Sequence, residues 1–127
     1  ATDVLAKKYI YKETLAFEAG WLQAEFPKSF ENLLLTQVKD ESMEPTLRAG
    51  DLILVDTNSR DLEDIEHGVY MFKLDDRILI KRLQYHAGKT LRVLSDNSAY
   101  EAFSIEMTGK SSGLSIMGKV VWCGHKL

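Results

Sequence analysis

The chain has 127 residues, of which 45% are hydrophobic and 28% charged, and its formal net charge is −3. This length fits one domain with a substantial core, and the mixed, slightly acidic charge argues against a basic nucleic-acid-binding surface. Its single cysteine, Cys123, excludes an internal disulfide, and the three histidines lack metal-ligand spacing. No apolar run reaches the roughly 18–20 residues that cross a bilayer, and no signal peptide is evident. We therefore expect a cytoplasmic protein with no cofactor, no metal and no membrane partner.

Residues 1–32 are predicted to form an N-terminal arm or linker with one short helix. Residues 14–25 carry apolar side chains at helical spacing, with Thr14 as a candidate N-cap and Pro27 beyond the end. Gly20 lowers the helical propensity of this segment.

From residue 33 the hydrophobic pattern changes to that of short β-strands. The polar pair Asp75–Asp76 separates two apolar runs and predicts a hairpin, and Gly118 predicts a bulge or bend in the last strand. We expect residues 33–127 to form a mainly β domain, with one or two short helices near the front of the chain. The predicted strands are residues 33–38, 52–56, 69–74, 77–83, 90–94, 100–107 and 114–123.

A serine on a turn and a lysine among aliphatic residues are the catalytic candidates. Ser42 lies in a polar bend before Pro45, and Lys81 would share a strand face with Leu79 and Leu83. A serine hydroxyl needs a base to remove its proton, and a lysine can be that base when burial lowers its pKa. Backbone N–H groups at the turn could bind an oxyanion. The residue types alone leave a bland alternative open, in which Ser42 is a turn residue and Lys81 extends to water.

Five segments, in order, resemble the motifs of the LexA-like S24 peptidase family and together span roughly residues 33–124. The first contains the candidate nucleophile and the third contains the candidate base. They are Ser42-Met43-Glu44-Pro45-Thr46-Leu47 followed by residues 50–56, then residues 68–70, Ile80-Lys81-Arg82-Leu83, residues 94–100 and residues 116–122.

The resemblance implies a mainly β, LexA/signal-peptidase-like fold and a homodimer or higher assembly made through this domain. It implies that Ser42 and Lys81 form a Ser–Lys dyad that cuts the protein's own chain, with the backbone N–H groups of Ser42 and Met43 stabilising the oxyanion. In the family a RecA filament promotes cleavage, whereas some phage repressors are inactivated by an antirepressor instead. Operator DNA would be bound only through an N-terminal helix-turn-helix domain, which this chain does not contain. We therefore expect a C-terminal fragment of a longer repressor, or a stand-alone relative.

Two local features bear on self-cleavage. Family members are cut at Ala-Gly or Cys-Gly; Ala19–Gly20 is such a step, but it falls in the predicted helix, and the true site could precede Ala1. The second such step, at Cys123, is interpreted as a strand end. The residues before the serine include Asp40 where the family often has glycine, a change that could alter the turn and its oxyanion geometry.

Two alternative functions stay open at this point. One is a dimerisation module of a repressor that does not cleave itself. The other is a polymerase-accessory protein of the SOS response, which shares the fold but carries a short arm instead of a DNA-binding domain.

Overall fold

The computed structural model describes residues 16–86, 89–107 and 113–127. The chain divides into two compact units, the first ending at Glu31 and the second running from Asn32 to Leu127. In its described part, the first unit contains the helix α1, Ala19–Glu25, which buries Leu22. Phe26 caps the C-terminal end of the helix, and its N–H donates to the Leu22 carbonyl at 2.8 Å.

Helix α1 begins later than the periodicity predicts. Residues 16–18 are not helical, and Glu18 is extended and makes no capping hydrogen bond with its side chain. Phe17 nevertheless stacks on Trp21, with ring centroids 5.7 Å apart. Ring stacking by the non-helical Phe17 therefore explains apolar spacing that the sequence attributes to another helical turn. The predicted N-cap, Thr14, lies outside the described residues.

The second unit is built on one antiparallel sheet of seven strands, which confirms the predicted mainly β fold. The strands are β1 Leu33–Gln37, β2 Leu52–Asp56, β3 Gly68–Leu74, β4 Arg77–His86, β5 Thr90–Leu94, β6 Phe103–Glu106 and β7 Leu114–Gly124. They lie in the order β1-β2-β7-β3-β4-β5-β6, so β7 is an interior strand between β2 and β3.

The strand predictions differ from the structure mainly at β4 and β6. β4 continues to His86, beyond the predicted end at Leu83. The alternating pattern predicts a strand from residue 100, but the strand begins at Phe103, because the N–H of Tyr100 donates to the Asn97 carbonyl and closes a turn there. The hairpin predicted at Asp75–Asp76 joins β3 to β4, with Asp75 at φ 54°.

Gly118 lies where β7 runs between β2 and β3. A Cβ at this position would stand 2.5 Å from the Asp56 carbonyl oxygen, so the close approach of β2 requires glycine. The pairing of β7 shifts register on both sides of the glycine, passing over Val121 against β2 and Met117 against β3. The predicted irregularity is thus present as two bulges that flank Gly118.

The sheet has hydrophobic residues on both faces. On β3, Met71 belongs to one cluster while its neighbours Tyr70 and Phe72 belong to the other, because successive strand residues point to opposite faces. The first cluster is made of Val38, Met43, Leu47, Ile53, Val55 and Met71, and the second of Tyr70, Phe72, Leu83, Leu91, Val93 and Ile116. Among the described residues, no helix has the length and apolar character needed to span a membrane.

Candidate active site

The loop between β1 and β2 presents Ser42. Backbone hydrogen bonds close the loop at its base, from Val38 N–H to the Asp51 carbonyl and from Gly50 N–H to the Val38 carbonyl, both at 2.8 Å. Met43, next to the serine, is buried in the first hydrophobic cluster. Anchored in this way, the loop holds Ser42 almost fully buried, with 1% of its surface exposed.

One carboxylate oxygen accepts both hydrogen bonds that Ser42 donates. The Ser42 hydroxyl donates to Asp40 Oδ1 at 3.0 Å, and the Ser42 backbone N–H donates to the same oxygen at 3.1 Å. The second bond, from an N–H two residues on, makes an Asx turn.

Lys81 is buried in the middle of β4, with 8% of its surface exposed. Its Nζ donates to Ser95 Oγ at 3.0 Å and lies 5.2 Å from the centre of the Tyr100 ring. The contact with the ring face favours the charged ammonium. The prediction that Lys81 lies among leucines is correct, since Leu83 is fully buried and Leu79 packs against the same cluster.

Burial lowers the pKa of Lys81 below the usual lysine value of 10.5, and the negative charge of Asp40 partly offsets this by raising it. Desolvation disfavours an ammonium, so a larger fraction of Lys81 is neutral near physiological pH than of a lysine in water. A neutral amine is the form that can accept a proton from a serine hydroxyl.

The turn after β5 contacts both the serine loop and the lysine. Ser95 accepts the hydrogen bond from Lys81, while the Asn97 N–H donates to the Ser42 carbonyl at 3.0 Å. The Asn97 side-chain amide adds a bond to the Glu41 carbonyl at 3.0 Å. This turn therefore fixes the serine loop relative to the end of β5.

Arg82 and Asp96 form a bidentate ion pair beside the site. The guanidinium donates to the two carboxylate oxygens at 2.9 and 2.7 Å, and Thr46 of the serine loop donates to the same carboxylate. The hydrogen bonds from Arg82, and after them the one from Thr46, lower the pKa of Asp96 despite its partial burial.

We expect Asp96→Asn to destabilise the fold by about 1 kcal/mol at pH 7, the upper end for a partly exposed pair. Because the folded-state pKa of Asp96 lies below its unfolded value of 3.8, this stabilisation is present above pH 3.8 and is lost as the pH falls through the folded pKa. Urea unfolding at pH 7 and pH 3 measures it, and the difference between variant and wild type should shrink at pH 3.

Glu66→Gln is the matched control for Asp96→Asn. It removes the carboxylate of the Lys119–Glu66 pair, in which the Glu66 side chain is 79% exposed, and should change stability very little. Equal losses for the two variants would contradict a specific contribution from Asp96.

The structure brings Ser42 and Lys81 into one cluster through their neighbours. Asp40 bonds to Ser42 and interacts electrostatically with Lys81, and the 95–97 turn contacts both. In the described part of the chain, no hydrogen bond joins Ser42 Oγ directly to Lys81 Nζ.

The two predicted oxyanion donors differ in whether their N–H groups are already hydrogen-bonded. The Ser42 N–H is already bonded to Asp40, whereas among the described residues the Met43 N–H has no hydrogen-bond acceptor.

Ala19 and Gly20, the predicted cleavage step, are exposed and lie at the start of helix α1 in the first unit. Within the described residues, no cluster of three or more His, Cys, Asp or Glu side chains could hold a metal ion.

Sequence reasoning missed the polar neighbours of the two candidates. The sequence indicates only that Asp40 could alter the turn, and it assigns Ser95, Asn97 and Tyr100 no role at the site. An aspartate two residues before a serine is a recognisable signal for an Asx turn. The partners of Lys81 come from a different strand end and leave no local signal.

A comparison with family models identifies the family of the chain. The Peptidase S24-like family model matches residues 2–121, and the chain belongs to that family, which confirms the resemblance inferred from the five motifs.

Among individual proteins, the chain is 35% identical over 91 residues to the 26 kDa repressor protein of Escherichia phage HK022. The matched region covers 72% of this chain but only 37% of that relative.

Proposed function

We propose that this chain is the C-terminal oligomerisation and self-cleavage domain of a phage-type transcriptional repressor, with Ser42 and Lys81 as a Ser–Lys dyad. Membership of the Peptidase S24-like family and the similarity to a phage repressor support the class. The observation that carries the dyad is the buried Lys81, whose pKa is lowered by desolvation and whose neighbours contact the loop of a buried serine.

The proposed reaction is an intramolecular peptide cleavage. Neutral Lys81 accepts the hydroxyl proton as Ser42 Oγ bonds to the scissile carbonyl carbon, and backbone N–H groups of the serine loop stabilise the oxyanion. The C–N bond then breaks, and the Lys81 ammonium gives its proton to the leaving amine. Water hydrolyses the resulting ester and restores the serine. Because no hydrogen bond joins the dyad in the resting arrangement, Ser42 must rotate away from Asp40 before it can react.

The partners of this function are a second copy of the chain, a RecA filament or an antirepressor, and operator DNA bound through a separate helix-turn-helix domain. Cleavage would separate the DNA-binding and dimerising parts and so weaken binding to a two-fold operator, because its half-sites would no longer be bound by one linked unit. Ala19–Gly20 is one candidate cleavage step, and its exposed position at the start of α1 means that only a first helical turn would have to unwind.

Self-cleavage is tested by incubating the full repressor that carries this chain from pH 7 to pH 10.5, with and without RecA on single-stranded DNA. We expect a fragment, identified by mass, whose rate of formation rises with pH and levels off below pH 10.5, because the pKa of Lys81 is lowered. Ser42→Ala should give no fragment under any condition. A fragment that forms equally in Ser42→Ala would contradict the proposal.

A non-cleaving dimerisation module is the second candidate, and one observation favours it. The Ser42 hydroxyl and the Lys81 amine are hydrogen-bonded to Asp40 and Ser95 instead of to each other. Intact protein in all the conditions above, together with a dimer in sedimentation experiments, would select this function. The sequence encoded upstream of this chain tests the polymerase-accessory alternative. A helix-turn-helix there would exclude that alternative.

A further inference from the structure

The Asp40 carboxylate accepts hydrogen bonds from two groups of Ser42 that take part in the proposed reaction. The Ser42 hydroxyl hydrogen, which the base must remove, points at Asp40 Oδ1, 3.0 Å from Oγ. The Ser42 N–H, an expected oxyanion donor, is bonded to the same oxygen at 3.1 Å. The Ser42 N–H is expected to donate to the oxyanion of the tetrahedral intermediate. In this structure it already donates to the negatively charged carboxylate of Asp40.

We propose that Asp40 is a positioning residue that restrains Ser42, because its carboxylate holds the serine hydroxyl and an oxyanion-binding N–H in a resting arrangement that a scissile carbonyl must displace. The inference rests on the proposed Ser–Lys function and adds a restraint to it. Hydrogen bonds to a charged acceptor are stronger than those between neutral groups. Entry of a peptide carbonyl therefore replaces a strong acceptor with a weaker one, which slows cleavage.

The charge of Asp40 adds a second effect on the same site. Its electrostatic interaction raises the pKa of Lys81 and so opposes the effect of burial. Asp96 on the facing turn and Arg82 of β4 also lie beside the site, but they are paired with each other. Tyr100 faces the Lys81 amine with its ring. The Asp40 charge therefore works against the lowering of the Lys81 pKa by burial, and removing this charge should leave more of the neutral base.

Two substitutions separate the restraint from simple support of the loop. Asp40→Asn keeps a side-chain oxygen that can form an Asx turn but removes the charge. Asp40→Ala removes the acceptor altogether. Glu44→Gln makes the same change in net charge further along the loop and serves as the control.

The test measures the rate at which a fluorophosphonate labels Ser42 at pH 7.5, quantified by mass, with Ser42→Ala as the blank. We expect labelling to be roughly 10–100-fold faster in Asp40→Ala, the factor set by one or two hydrogen bonds to a charged group. Asp40→Asn should fall between Asp40→Ala and wild type, and Glu44→Gln should match wild type. If Asp40→Ala does not fold, Asp40→Asn alone decides, because it preserves the turn.

A second measurement follows the titration of Lys81 by NMR of the ¹³Cε nucleus. We expect its pKa to be lower in Asp40→Asn than in wild type, which a purely structural role of Asp40 would not produce. An unchanged pKa together with unchanged labelling would show that Asp40 only supports the loop, and slower labelling would show that Asp40 acts as a base; either result overturns the restraint. No labelling in any variant, with a normal lysine pKa, would instead reject the Ser–Lys function on which the inference rests.

Discussion

Replacing Lys81 by methionine is expected to slow the proposed self-cleavage strongly and, at the same time, to stabilise the sheet. Loss of the proposed general base should slow cleavage by roughly 10²–10⁴-fold. Methionine has a similar length and no charge, so the second hydrophobic cluster would no longer lie beside a buried amine. Relieving this cost should raise the free energy of unfolding by about 0.5–2 kcal/mol, as is common when functional strain is removed.

The pH dependence of stability provides a separate check on Lys81. Its folded-state pKa is lower than the unfolded value near 10.5. Between these two values the unfolded chain binds more protons, so wild-type stability should rise with pH until about pH 10.5. Lys81→Met should lack this rise. Urea unfolding at pH 7 and pH 10 measures the effect, and parallel behaviour of wild type and variant would contradict a lowered lysine pKa.

Gly118→Ala is expected to destabilise the sheet by about 2–3 kcal/mol, a large cost for one methyl group. The new Cβ would stand 2.5 Å from the Asp56 carbonyl oxygen and 2.6 Å from a methyl group of Val55. Overpacking at a site bounded by backbone cannot be relieved by a rotamer change, so β7 must move away from β2. Thermal unfolding followed by near-ultraviolet circular dichroism measures the loss.

Gly20→Ala is the matched control for Gly118→Ala, because the same methyl group would approach only the Glu18 carboxylate, at 3.9 Å. It should leave the melting of the sheet unchanged. If Gly118→Ala melted at the wild-type temperature as well, the close approach of β2 and β7 would be wrong.

The strands were predictable because each segment carries its own signal. Period-two alternation and β-branched residues lie within five to ten residues of chain, and Asp75–Asp76 marks the hairpin turn locally. The start of α1 was predicted wrongly, because Phe17 meets Trp21 by stacking without continuing the helix. The order of the strands was not predicted, since the pairing of β7 with β2 and β3 depends on residues far apart in the sequence.

The features of the site also divide into those with a local sequence signal and those that depend on residues distant in the sequence. Ser42 and Lys81 could be selected from residue type, neighbours and the family motifs. The contacts of Ser42 and Lys81 could not be predicted, because Ser95 and Asn97 come from the turn after β5, which is distant in the sequence from the serine loop. The role of Asp40 is an intermediate case: its bond to the Ser42 N–H is local, but its effect on Lys81 depends on how β4 lies beside the loop.

The position of β7 constrains how this protein can be made. Residues 114–124 are synthesised after the other six strands, yet they join β1 and β2 to β3, β4, β5 and β6. While they are still inside the ribosome, β2 and β3 each expose a full edge of unpaired backbone groups that can pair with other chains. The newly made chain is therefore open to aggregation until β7 has left the ribosome, and a nonsense mutation that removes this strand would leave two separate fragments of sheet.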